Sequence, residues 1–130
     1  MIRKVSSQLW KRLLAMAEEE VARVLRDVPA HLREAAQAVT LVYETQPSRE
    51  LVKEGIEADT LGLFVGDPYA EAERASSPLP PEIMLYLENL WDLAEESEES
   101  FRDEVRATYL HELGHYLGLD EDELTERGLE

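Results

Sequence analysis

Apolar residues recur every three or four positions at the start of the chain: Val5, Leu9, Leu13, Ala17, Val21, Val24, Leu25 and Val28. That spacing predicts an amphipathic helix over about 7–27. Ser6 or Ser7 can cap it, and Pro29 follows its end. His31 and the five residues after it read as a short turn of helix. The period then changes. Residues 39–43 are β-rich and end before Gln46-Pro47-Ser48. A short helix over 49–54 leads to a second strand-like run at 61–65, stopped by Gly66-Asp67-Pro68. A third run, 83–87, is introduced by Pro80-Pro81. The loop 67–81 between the last two is rich in Pro, Ser and charge, and is long for a compact domain.

A second long helix begins near Ser100, with Ser97 and Ser100 both able to cap it and acids in its first turn. It runs through Phe101, Val105, Thr108, His111 and His115 to Leu117, and Gly118 supplies the stop. A last short helix is expected over 120–127. Three strand-like runs between two long helices make an α+β class in a single domain over 1–130. The second helix is apolar almost all round between 105 and 117, which predicts that it lies inside the protein. Two histidines and a glutamate within such a helix need partners, because unpaired buried polar groups are costly.

Residues 111–115, HELGH, meet that need. His111 and His115 are four apart, so their imidazoles leave one helix face and can grip one metal ion. Zinc accepts imidazole nitrogen, and catalytic zinc sites take three protein ligands and a water. Glu112 is then the general base that activates the metal-bound water and later passes the proton to a leaving amine. A shuffled chain with the same 3 His shows this pattern about once in a hundred trials, so its position on a buried helix adds weight.

Composition narrows the partners. The net charge is −16, divided as +2 over residues 1–53, −7 over 54–90 and −11 over 91–130. A chain this acidic is a poor match for a nucleic-acid backbone or an anionic membrane. Its C-terminal third sets up a negative field suited to cations or basic peptides. There is no Cys, so disulfides, thiol catalysis and cysteine-held zinc are excluded, and a metal must use His, Asp or Glu. No secretory leader and no run of 18 apolar residues is visible, so a cytoplasmic location is expected.

The third ligand must come from elsewhere. Leu119-Asp120-Glu121-Asp122-Glu123 follows Gly118. Metzincin proteases read H-E-x-x-H-x-x-G-x-x-H, the glycine letting the chain turn back toward the metal. In that frame the third position is Glu121. Asp120 and Glu123 have a competing use as a capping box for the last helix, which leaves Asp120 the second choice and a more distant acid the third.

At this point the chain resembles the zincin-like metallopeptidase family of small, mostly bacterial proteins. The resemblance rests on TYLHELGHYLGLDEDEL (108–124), supported by TLGLFVGDPY (60–69) and PPEIMLYLENL (80–90). Position by position it implies His111 and His115 as ligands of one zinc ion, Glu112 as base and Glu121 as the acidic ligand. The family's usual residue in that last position is Asp, so which acid coordinates stays open here. The resemblance also implies a minimal zincin-like fold: an N-terminal backing helix, a small mixed sheet, an active-site helix and a short C-terminal helix. In such proteases an edge strand pairs with an extended peptide substrate. Gly62, Leu63 and Phe64 in the run 61–65 are the expected edge residues, with 83–87 beside them.

The reading that follows is zinc-dependent hydrolysis of peptides or unfolded protein in a shallow, open cleft. Its alternative is a metal-binding regulatory module that offers an acidic surface to a basic partner. Tyr69, Tyr86, Tyr109, Tyr116 and His31 are the side chains considered as oxyanion stabilisers, Tyr116 being the least suited because it points away from His111 on the wheel. Oligomeric state has no signature in the sequence.

Overall fold

Ser6 starts the first helix. Its hydroxyl accepts the Leu9 N–H at 3.1 Å, and α1 runs Ser7–Asp27 before Val28 and Pro29 end it. The computed structural model describes residues 5–67 and 80–119. After α1 come α2 (Ala30–Gln37), β1 (Thr40–Glu44), α3 (Arg49–Lys53), β2 (Gly62–Val65), β3 (Glu82–Tyr86), α4 (Leu87–Leu93) and α5 (Glu98–Leu117). The fold is α+β, with five helices and a small mixed sheet among the described residues. The expected helix over 120–127 and the interior of the 67–81 loop lie outside the described residues.

The sheet order is β1-β3-β2. β1 runs parallel to β3, with Val42 opposite Met84. β2 runs antiparallel to β3, with Leu63 opposite Met84. β3 is therefore the central strand, and Ile83 and Leu85 are fully buried. The third run ends one residue earlier than its composition predicts. Leu87 opens α4, a helix the strand-like reading missed. Its signal was the spacing of Leu87, Leu90, Trp91 and Ala94, all of them buried.

α5 packs against α1 on one side and against β2 and β3 on another. Leu13, Ala17, Val21 and Val24 of α1 meet Phe101, Val105, Tyr109 and Leu113 of α5 in one core cluster. An acid is sunk into the same contact. Glu20 is only 1% exposed and takes Arg102 at 2.7 Å and Arg106 at 3.3 Å. These two guanidinium groups of α5 make burial of that carboxylate tolerable, and they hold α5 against α1 from behind.

α5 differs from its expectation in one respect. It is not interior all round. Ala107, His111 and His115 form an exposed stripe at four-residue spacing, while Phe101, Val105, Thr108, Tyr109, Glu112, Leu113 and Tyr116 are buried. The physical reason is that α1 and the three-stranded sheet cover only part of the helix surface. The imidazoles take the uncovered part, where they keep contact with water.

Candidate metal centre

The centre begins with a regular helix and an abrupt stop. Ser97 accepts the Ser100 N–H at 3.3 Å, and Glu98 and Glu99 sit in the first turn, where the helix dipole favours acids. At the other end Gly118 is left-handed, with φ 74°. The Leu119 N–H then returns to the Gly114 carbonyl at 2.8 Å. This closure is the type that glycine permits after a helix, and it turns the chain immediately past His115.

One turn of α5 brings the two histidine rings together. Their centroids are 4.6 Å apart and their planes 86° apart. The two Nε2 atoms face each other at 3.1 Å. Two nitrogens bound to one tetrahedral zinc at ~2.0–2.1 Å lie about 3.3–3.4 Å apart. The donor pair therefore fits a divalent ion with a shift of a few tenths of an ångström. His111, Glu112 and His115 all place a ligand-type atom within 4.8 Å of one another.

Glu112 has a different environment from its neighbours. It is 8% exposed and lies beneath β2. Gly62 makes that approach possible: a Cβ there would stand 2.6 Å from Thr108 Cγ2 and 3.3 Å from Glu112 Cγ. Burial raises the carboxyl's pKa above the usual glutamate value, while His111, His115 and the Phe64 N–H pull the other way and are outweighed. The result is a carboxylate with increased affinity for a proton beside two imidazoles.

An open groove of about 350 Å³ runs past these groups, lined by Leu61, Gly62, Ala107, Thr108, His111 and Glu112. Three of these, Leu61, Ala107 and Thr108, were not among the residues expected to act. Thr108 had a readable signal, since it sits one helical turn before Glu112. Ala107 had one too, one turn before His111.

The structure distributes the edge residues unequally. Gly62 lines the groove. Phe64 turns its ring to Tyr116, with centroids 5.7 Å apart. Leu63, half-buried, points to the opposite sheet face by strand alternation. Asp120, Glu121 and Tyr69 lie outside the described residues. The remaining oxyanion candidates are placed elsewhere. Tyr86 donates to Met84 Sδ at 3.6 Å. Tyr109 is buried beside Tyr43, and burial pushes both hydroxyls up to about 12. Tyr116 packs on Phe64, and His31 is exposed on α2. None of these four is among the described residues lining the groove.

Comparison with known proteins adds one match. A family model described as zincin-like metallopeptidase covers residues 36–129, from the end of α2 through α5 and beyond. The α1 helix falls outside the matched span. No curated protein sequence matched the chain.

Proposed function

The chain belongs to the zincin-like metallopeptidase family, and from that premise we propose that it is a single-domain, zinc-dependent peptidase acting on extended or unfolded peptide segments. His111 and His115 would hold the ion, and Glu121, with Asp120 as second choice, would complete the protein ligands. A divalent ion in such a site supplies a Lewis acid that polarises a carbonyl and makes a coordinated water more acidic.

The chain's own chemistry centres on Glu112. Its carboxylate lies at the foot of the groove and, being buried, binds a proton more firmly than an exposed glutamate does. It accepts the proton of the attacking water and returns it to the departing amine. The edge strand β2 borders the groove and offers backbone groups to an extended peptide. The groove's openness favours segments without fixed structure over folded protein.

The observation that carries this reading is the pairing of two Nε2 atoms 3.1 Å apart with a buried carboxylate on the next residue. Its test is Glu112→Gln in the zinc-loaded protein. Peptide hydrolysis should fall by about 10²–10⁴-fold, with one bound zinc retained by elemental analysis. A Glu112→Gln protein that hydrolyses peptides at the original rate would remove the base from the mechanism. If all biological activity survives in that variant, the site serves metal-dependent binding instead.

A further inference from the structure

Three polar side chains line the groove, and two of them are assigned: His111 to the ion and Glu112 to the proton. Thr108 is the third. It is 9% exposed and lies one helical turn before Glu112. Its methyl group faces β2, since a Cβ on Gly62 would stand 2.6 Å from Thr108 Cγ2. The hydroxyl on the same carbon therefore points elsewhere. Threonine inside a helix commonly returns its hydroxyl to a backbone carbonyl one turn back. Here no hydrogen bond from the described residues engages the Thr108 hydroxyl. Its oxygen is not sealed from solvent, so it opens on the groove that Thr108 lines.

Strand geometry decides what can reach it. β2 lies at the outside of the sheet among the described residues. The Tyr86 N–H bonds the Leu61 carbonyl at 3.0 Å, and in an antiparallel ladder bonded pairs alternate with unbonded ones. Gly62, opposite Leu85, thus turns its N–H and C=O away from β3, where an extended peptide can pair with them. That peptide would run about 4.8 Å from β2, with its backbone groups in the plane of the sheet and its side chains alternately toward α5 and away. The peptide residue opposite Gly62 shares the side of Gly62 that faces α5. Its side chain, and not its backbone, descends on Thr108.

Resting on the peptidase reading above, we infer that the Thr108 hydroxyl selects substrate: the peptide residue seated opposite Gly62 carries a hydrogen-bonding group close to its backbone, as Ser, Thr and Asn do. An apolar side chain in that place displaces water from the hydroxyl and supplies no partner in return. A covered polar group left in that way costs more than a contact between apolar groups gains. Leu61 and Ala107 form the neighbouring walls, and their side chains hold no donor or acceptor. Apolar walls alone discriminate weakly between side chains that differ by one hydroxyl, whereas a group built to bond that hydroxyl discriminates strongly.

Paired peptides test this, identical except for Ser or Ala at one position, with that position moved through the residues flanking the scissile bond. In the zinc-loaded wild-type protein, kcat/KM at one of these positions should favour Ser over Ala by about tenfold. Thr108→Val has nearly the same shape and keeps a methyl toward Gly62, and it should bring that ratio to within about twofold. Thr108→Ser keeps the hydroxyl and should retain the preference. If Thr108→Val does not fold, Thr108→Ala, which also lacks the hydroxyl, takes its place. Fluorescence polarisation on zinc-loaded Glu112→Gln makes the same comparison without turnover, and the Ser peptide should bind about tenfold more tightly than the Ala peptide. A ratio near one at every position in the wild-type protein overturns the inference, and so does a preference that survives Thr108→Val. Failure of the wild-type protein to hydrolyse any of the peptides refutes the peptidase reading instead, and the binding comparison then decides on Thr108 by itself.

Discussion

Gly62→Ala places one methyl group at the tightest contact of the site. Carbon atoms rest comfortably at ~3.5–4.0 Å, and the new Cβ would be 2.6 Å from Thr108 Cγ2. It would also stand 3.3 Å from Met84 O and 3.3 Å from Glu112 Cγ, so β2 cannot slide toward β3 to escape. Overpacking of this kind costs about 1–3 kcal/mol. Replacing glycine in a strand returns roughly 0.5–1 kcal/mol of chain entropy. A net loss of about 1–2 kcal/mol remains. At ~2.1 cal/mol/K per residue, unfolding of this 130-residue chain carries an entropy of about 0.27 kcal/mol/K. The melting temperature should therefore drop by about 4–7 °C in calorimetry. Activity should fall further than stability implies, by about a hundredfold, because an ångström of misplacement at a reacting centre costs that much. Thr108→Ala removes the obstructing methyl, so the double variant should recover at least about 1 kcal/mol beyond the sum of the single effects. Effects that add within about 0.5 kcal/mol would refute the steric account.

Three further outcomes follow from other contacts. Glu20→Ala leaves Arg102 and Arg106 without the carboxylate at 2.7 and 3.3 Å. A fully buried pair would lose about 3–5 kcal/mol, and the partial exposure of both arginines reduces this to about 2–4 kcal/mol in urea unfolding; a loss under 1 kcal/mol would show that the clamp does not secure α5. Tyr43 and Tyr109 have hydroxyls raised by burial from 10.0 to about 12. The folded state therefore retains protons that the unfolded chain releases, and stability should decline as pH rises from about 10 through 12. Tyr43→Phe should flatten that decline, and an unchanged pH profile in melting experiments would contradict it. Zinc at a hundred times its dissociation constant should add about 2.7 kcal/mol, or about 10 °C. His111→Ala and His115→Ala should each abolish that gain in thermal melts, and a gain that survived both would place the ion elsewhere.

How much of this was legible in the residues differs from element to element. α1 was readable to its ends, because its apolar spacing and its serine and proline boundaries are local signals. The metal pair was readable for the same reason: four residues of helix bring two imidazoles to one side whatever surrounds them. α4 was missed because its first residues, Leu87 onward, continue an apolar strand and only their later spacing marks a helix. The exposure of His111 and His115 was misjudged, since a wheel shows which residues share a face but not which faces α1 and the sheet cover. Glu20 has no local signal of its burial, which depends on two arginines more than 80 positions away.

Local chemistry along the chain thus determined the helices, the strand-forming runs and the identity of the histidine pair with its adjoining acid, since each depends on neighbours within a few residues. Tertiary structure alone decided that Gly62 admits α5 to within van der Waals reach, and that Glu112 is buried while its histidine neighbours face water. Those properties arise from contacts between segments separated by tens of residues. Desolvation and close packing act through space, and the order of residues along a chain does not specify which surfaces will meet.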